Sequence, residues 1–137
     1  MGNPNTFLRW RRQFELGLEP IDAQHRELVD ALQRLEGLLA GEGGAAVDEE
    51  LASVARHLVR HCQTEESLMK EMGFPDRVAH AEEHQSLIRA VRDLQYRRLR
   101  GAAVGREEIV LLGEALDCHI CEWDRAYADQ LKAVQHV

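Results

Sequence analysis

The sequence predicts an all-α protein: an up-down-up-down antiparallel four-helix bundle preceded by a non-helical N-terminal arm. Apolar residues recur at helical spacing, glycine-rich or Gly-Phe-Pro breaks divide the chain into four helical segments, and no alternating β pattern competes. Helices joined by such short connections are usually antiparallel neighbours. The 137 residues suit one domain, which we divide into an arm at 1–20 and a bundle at 21–133.

Each predicted helix lies between identifiable breaks. The sequences GEGGAA (41–46), GFP (73–75) and GAAVG (101–105) leave helices at about 21–40, 48–72, 76–100 and 105–133. Asp48 is expected to cap the second helix, and Pro75 stands where the start of a helix tolerates proline. Trp10 and Phe14 of the arm are expected to lie against the bundle.

Charge and composition exclude several classes of partner. With 24 acidic and 17 basic residues, the net charge is -7, which argues against nucleic acid or an anionic membrane as the main partner. No run of 18 apolar residues predicts a membrane span, and no apolar signal-peptide core is found. The odd count of three cysteines fits a reducing cytoplasm. The basic run YRRLR (96–100) is most simply a solvated helix end.

Histidines and carboxylates recur at helical spacings, so that each helix can direct at least one imidazole toward the bundle axis. His61 and Glu65 are four residues apart and share one helix face, and His80 and His84 repeat that spacing on the next helix. The first and fourth helices contribute His25 and His119. One such histidine is usually a surface residue, but five in a core are costly to desolvate without a bound partner. Imidazole with carboxylate suits iron, manganese, zinc or copper. Spacing alone does not exclude His57.

The carboxylate of the fourth helix is not decided by spacing. Glu122 lies three residues after His119 and would share its face. Asp124 lies five residues after His119, which is about 140° around an ideal α-helix. Helical spacing alone therefore favours Glu122.

Four sequence elements, one in each predicted helix, resemble the hemerythrin family in their order and spacing. They are the arm and first helix FELGLEPIDAQHREL (14–28), the HxxxE of HCQTE, the HxxxH of HAEEH and the HxxxxD of HICEWD. The resemblance extends from about Trp10 to Leu131. It implies a four-helix bundle with a non-haem di-iron centre that binds molecular oxygen reversibly. It also places Asp124 ahead of Glu122, and the implied ligands are His25, His61, Glu65, His80, His84, His119 and Asp124.

The implied cofactor is a pair of iron ions (Fe2+/Fe3+) bridged by an oxo or hydroxo group and two carboxylates, with O2 as ligand. By the same resemblance, the oxygen pocket is lined by Leu28, Cys62, Leu116 and Ile120. Cys62 replaces a large aromatic residue that is usual in the family, and Ala115 replaces a frequent tryptophan. The pocket is therefore expected to be roomier or wetter than is usual.

The implied function is oxygen transport, storage, delivery or sensing by a binding protein that is not an enzyme, with a protein partner for delivery or signalling left open. The alternative is an iron donor or repair factor, or a protein that handles nitric oxide or peroxide; a third reading is a structural bundle whose site holds zinc or no metal. Di-iron oxidases use Glu-x-x-His pairs, and this sequence contains none. The CxxC pair Cys118 and Cys121 fits core packing better than a redox or zinc role, which stays open.

Overall fold

The computed structural model describes residues 9–39, 41 and 44–135. Helix α1 spans Ile21–Leu38, α2 spans Gly44–Met72 and α3 spans Arg77–Leu99. The fourth helical span begins as α4 (Arg106–Cys118), passes through a π-helical turn (His119–Asp124) and continues as α5 (Arg125–Gln135). In the described ranges there is no strand. The predicted all-α four-helix bundle is confirmed.

Neighbouring helices pack in a closed ring. Helix α1 packs on α2 and α4, and α3 packs on the other sides of α2 and α4. This arrangement lets all four helical spans direct side chains toward one central axis. None of the helices in the described part of the chain is long and apolar enough to cross a membrane.

The start of the second helix differs from the prediction. Helix α2 begins at Gly44, because Ala45 and Ala46 are strong helix formers that extend it into the expected loop. Asp48 therefore lies inside the helix and is not its cap. Its carboxylate instead accepts a hydrogen bond from Arg98 Nε at 2.6 Å. Residues 40, 42 and 43 of the expected loop lie outside the described residues.

The described part of the arm packs against the bundle, as expected. It contains one short 3₁₀ turn, Arg12–Phe14; Phe14 is buried in the main apolar cluster and Trp10 packs against that cluster. The backbone N–H groups of Leu16 and Gly17 donate to the carboxylate of Asp22, at 2.8 and 3.0 Å. These bonds join the arm to the first turn of α1. Residues 1–8 of the predicted arm lie outside the described residues.

The core consists of apolar clusters separated by a polar layer. The main cluster includes Leu28, Leu58 and Leu116, and smaller clusters contain Ile21, Met69 and Tyr127. On α1, His25 lies between Ile21 of a smaller cluster and Leu28 of the main one, and on α2 Glu65 lies between Leu58 and Met69 in the same way. The fold therefore places a polar centre inside an apolar core.

Candidate metal centre

All seven predicted ligand side chains converge in the interior of the bundle. Each residue is at most 1% exposed: His25, His61, Glu65, His80, His84, His119 and Asp124. Charged side chains are almost never buried this completely unless they are paired or bind metal. The burial of the whole set therefore indicates a built site.

Asp124 lies at the middle of this cluster. Its Oδ2 atom is 2.8 Å from His25 Nε2 and 3.0 Å from His61 Nε2. Its Oδ1 atom is 3.0 Å from His80 Nε2 and 2.8 Å from His119 Nε2. The two oxygens of one carboxylate thus face two different pairs of imidazoles.

Glu65 is the second carboxylate of the cluster. Its Oε1 atom is 2.8 Å from His80 Nε2, 2.9 Å from His84 Nε2 and 3.7 Å from His61 Nε2. Its other oxygen, Oε2, is buried and has no hydrogen-bond partner among the described residues. A buried carboxylate oxygen without a partner is costly, and a cation would satisfy it.

The π-helical turn explains how Asp124 reaches the cluster. A π-helix bonds residue i to residue i+5, so the turn His119–Asp124 brings its last residue back over its first. Asp124 is consequently buried, whereas Glu122 is exposed and accepts a hydrogen bond from the Cys118 thiol at 3.2 Å. Ideal α-helical spacing, which favours Glu122, does not hold in this turn.

Hydrogen bonds outside the cluster orient three of the imidazoles. His25 Nδ1 donates to the Phe14 carbonyl oxygen at 2.9 Å. His61 Nδ1 faces Gln24 Oε1 at 3.3 Å, and His84 Nδ1 faces Glu66 Oε2 at 2.8 Å. Acceptors at Nδ1 leave Nε2 as the nitrogen that faces the centre.

Gln24 and Glu66 therefore support two of the predicted ligands, and sequence reasoning missed both. Gln24 is itself held in place, since its Nε2 donates to Thr64 Oγ1 at 3.0 Å. Glutamine and glutamate are common on helix surfaces, so neither the residue type nor the spacing of Gln24 and Glu66 marks them as partners of a histidine. Only their positions next to His25 and Glu65 could have suggested a supporting role.

The remaining two imidazoles lack such a hydrogen bond. His119 Nδ1 is 3.8 Å from Glu83 Oε1, which is longer than a hydrogen bond. His80 Nδ1 has no hydrogen-bond partner among the described residues. The five imidazoles are thus supported unequally.

The charges of the cluster shift the pKa values of its members. Burial alone would lower the pKa of His80, but Asp124 and Glu65 outweigh burial and raise it to about 9. Burial likewise opposes a raised pKa at His61, where the charge of Asp124 prevails. Burial would raise the pKa of Asp124, yet His119 and His61 hold it well below its usual range. The cluster thus retains protons on imidazoles that a metal ion would displace.

The donor set fits a pair of iron ions. His61, Glu65, His84, His119 and Asp124 each offer one ligand atom, and these atoms lie within 4.8 Å of one another. Together with His25 and His80 they supply five imidazoles and two carboxylates, donor types that suit iron as they also suit manganese, zinc and copper. Buried oxygen and nitrogen atoms without partners are also present in this cluster.

Other candidate residues lie elsewhere or have another environment. His57 stays outside the cluster and pairs with Glu27, with 3.3 Å between Nδ1 and Oε2. The thiols of Cys118 and Cys121 are not bonded to each other, and Cys121 donates to Asp117 at 3.3 Å. Their predicted packing role is only partly met, because Cys118 is exposed.

The four residues expected to line the oxygen pocket are all buried in the main apolar cluster. Each is at most 2% exposed: Leu28, Cys62, Leu116 and Ile120. Burial, followed by the nearby charges of Glu65 and Glu66, raises the pKa of Cys62. Cys62 is therefore a neutral thiol that behaves as a small apolar residue.

Residues 16–131 match the family model described as the hemerythrin HHE cation binding domain. The chain belongs to the hemerythrin family. Among curated relatives, a bacteriohemerythrin of Stenotrophomonas maltophilia is 34% identical over 128 residues, which cover 93% of this chain and 84% of the relative. A bacteriohemerythrin of Pseudomonas aeruginosa is 32% identical over 129 residues, covering 94% and 82%.

Solved hemerythrin structures share the fold. A crystal structure of wild-type hemerythrin has a TM-score of 0.75 at 28% identity, covering 79% of this chain and 84% of that chain. A mutant hemerythrin has a TM-score of 0.85 at 25% identity, covering 90% and 96%. The resemblance predicted from the four sequence elements is confirmed.

Proposed function

We propose that this protein binds molecular oxygen reversibly at a non-haem di-iron centre, for oxygen transport, storage, delivery or sensing. The observation that carries the proposal is the buried cluster in which Asp124 and Glu65 lie among five imidazoles. The protein's similarity to bacteriohemerythrins supports the proposal. Iron ions held by these residues would supply electrons to oxygen and recover them when the oxygen leaves.

The two oxygens of Asp124 suggest how the ligands divide. His25 and His61 face Oδ2, and we assign them to one iron. His80 and His119 face Oδ1, and His84 faces Glu65; we assign these three to the other iron. Asp124 and Glu65 would then be shared by both ions, with an oxo or hydroxo group as the further bridge.

The protein's own residues exclude water and hold the ligands still. The apolar side chains of Leu28, Leu116 and Ile120 are buried beside the cluster, and we propose that they and Cys62 line the oxygen pocket. Phe14, Gln24 and Glu66 hold three imidazoles through their Nδ1 atoms. Fixed imidazoles and an apolar pocket favour release of oxygen unchanged over its further reduction.

We further propose that the protein is not an enzyme and that it works in the cytoplasm. The three free cysteines support a reducing compartment. The alternative function, iron donation or nitric oxide and peroxide handling, is not favoured by the names of the matched relatives. No observation in the centre supports it over oxygen binding.

The test is anaerobic reconstitution of the full chain with ferrous iron, followed by optical spectra as oxygen is added and removed. We expect two irons per chain and a visible absorption that appears with oxygen and disappears on its removal. Irreversible browning would instead favour the iron-donor alternative. Retention of zinc without any oxygen response would indicate a structural site.

A further inference from the structure

A groove on the surface between α2 and α3 is lined by three arginines of this acidic protein. Its volume is about 430 Å3. Small apolar side chains, Ala52, Ala55 and Val59, lie along it, and arginines rise on both sides: Arg56 and Arg60 from α2 and Arg92 from α3. Gln63 and Gln95 complete the lining, so the three arginines stand among small apolar and uncharged amide side chains.

These three arginines have no partner within the described ranges. Arg56, Arg60 and Arg92 are exposed and form no hydrogen bond or ion pair with any described residue. The sequence run YRRLR behaves differently. Arg97 pairs with Glu108 at 3.4 Å, and Arg98 pairs with Asp48 at 2.6 Å. Two arginines of the run YRRLR are thus paired with acidic residues of the same protein. Arg56, Arg60 and Arg92 of the groove remain available to bind a partner.

We propose that this groove docks an acidic amphipathic helix of a partner protein. A groove between two helices accepts the apolar face of a third helix, and small residues such as Ala52 and Ala55 allow close approach. Unpaired arginines on both sides would then bind carboxylates on the flanks of that helix, since guanidinium groups match carboxylates geometrically. On a chain of net charge -7, one basic groove also orients an acidic partner as it approaches.

The groove lies close to the metal centre along α2. Arg60 immediately precedes His61, and Glu65 follows one turn later on the same helix. A helix bound here would contact the outer side of the segment that supplies two of the proposed ligands. Docking of a partner helix in this groove needs no metal. It therefore goes beyond the proposed oxygen binding and does not depend on it.

The test uses a synthetic helical peptide of about five turns, with leucines at i, i+3, i+4 and i+7 and glutamates on both flanks. Its binding to the full chain is measured by fluorescence anisotropy, and NMR shifts of backbone amides locate the site. The double variant Arg56→Gln/Arg92→Gln removes one arginine from each side. We expect it to weaken binding about tenfold, and added salt to weaken wild-type binding.

Two controls isolate the groove and the charge. Arg12→Gln/Arg100→Gln makes the same change in charge at exposed arginines outside the groove, and we expect binding within about twofold of wild type. A peptide with glutamine in place of every glutamate is expected to bind much more weakly. Thermal unfolding followed by circular dichroism verifies that each variant is folded.

Several results would overturn the proposal. If the groove variant bound the peptide as tightly as wild type, the groove would not be the binding site. The same would follow if the NMR shift changes mapped to another face of the bundle. Binding to vesicles containing phosphatidylglycerol through these arginines, without binding of the peptide, would indicate a membrane surface. A wild-type dimer in sedimentation that the groove variant abolishes would assign the groove to a second copy of this chain.

Discussion

At the scale of single residues, the centre depends on which imidazoles face the shared carboxylates. His61 does so directly, since its Nε2 atom is 3.0 Å from Asp124 Oδ2. His57 lies one turn earlier on the same helix but pairs with Glu27 away from the cluster. Two histidines at adjacent turns of α2 thus have different surroundings, and they form a matched pair for mutation.

We expect His61→Ala to abolish reversible oxygen binding, because it removes a proposed ligand and leaves a cavity beside the carboxylates. His57→Ala should leave oxygen binding unchanged. Iron content and oxygen-dependent spectra of both variants measure this. Retained reversible binding in His61→Ala would show that the ligand assignment is wrong.

Glu66 is expected to strengthen the centre through His84. Its carboxylate lies 2.8 Å from His84 Nδ1, and loss of such an outer partner commonly costs about tenfold in metal affinity. We predict a loss of that size for Glu66→Gln, which keeps an acceptor but removes the charge. Competition between the protein and a chelator for Co2+ measures the affinity without requiring oxygen.

A matched control for Glu66 is Glu82→Gln, an exposed residue on α3 whose side chain lies outside the cluster. It makes the same change in charge and should leave Co2+ affinity within about twofold of wild type. If both variants lose affinity equally, the effect is one of overall charge and not of the hydrogen bond to His84.

The size of Cys62 leads to another prediction. Cys62 is buried among the apolar residues of the proposed oxygen pocket, and a larger apolar side chain there would exclude water better. Cys62→Phe should therefore slow autoxidation of the oxygen-bound protein, measured as the decay of its visible absorption in air. An unchanged or faster decay would contradict the idea that this pocket is too roomy.

At the scale of elements, the turn His119–Asp124 is the feature that helical spacing could not predict. An α-helical count places Asp124 on the wrong face, whereas the π-helical register returns it to the face of His119. Asp124→Ala should therefore eliminate binding of Co2+, while Glu122→Ala should bind it normally. Metal binding that survives in the first variant and fails in the second would show that the turn is α-helical in solution.

Most of the helices could be predicted because their signals are local. Apolar periodicity and the glycine-containing breaks located the four helices. The start of α2 was misplaced, because the alanines that follow a glycine run can extend a helix. The supporting contacts of Gln24 and Glu66 could not be predicted. Each contact joins residues on different helices, Gln24 with His61 and Glu66 with His84, and no local sequence pattern predicts a contact between helices.

At the scale of the whole molecule, the bundle buries ionisable groups that stabilise one another. Five imidazoles surround two carboxylates with at most 1% exposure of any member. The metal-free protein must satisfy these charges by sharing protons among them. Its stability should therefore depend on pH in a way set by the cluster.

The metal-free protein should lose stability as pH rises from about 6.5 to 9. The pKa of His80 is raised to about 9 in the folded state, so its contribution is fully present below the unfolded value of about 6.5 and is lost as pH rises through 9. The raised pKa of His61 acts in the same direction. The lowered pKa of Asp124 has the opposite effect on the pH dependence of stability. Its stabilising contribution is present at neutral pH and is lost only in acid, below about pH 4.

Urea unfolding of chelator-treated protein at about pH 6 and pH 9 measures the difference, which we expect to be roughly 2 kcal/mol. His80→Gln should flatten this dependence, because the group that releases a proton is gone, whereas His57→Gln should leave it as in wild type. His80 is the informative choice, since its Nε2 atom faces both Glu65 and Asp124. A free energy of unfolding that stays constant over this range, or a slope unchanged in His80→Gln, would mean that proton sharing in the cluster does not stabilise the metal-free fold.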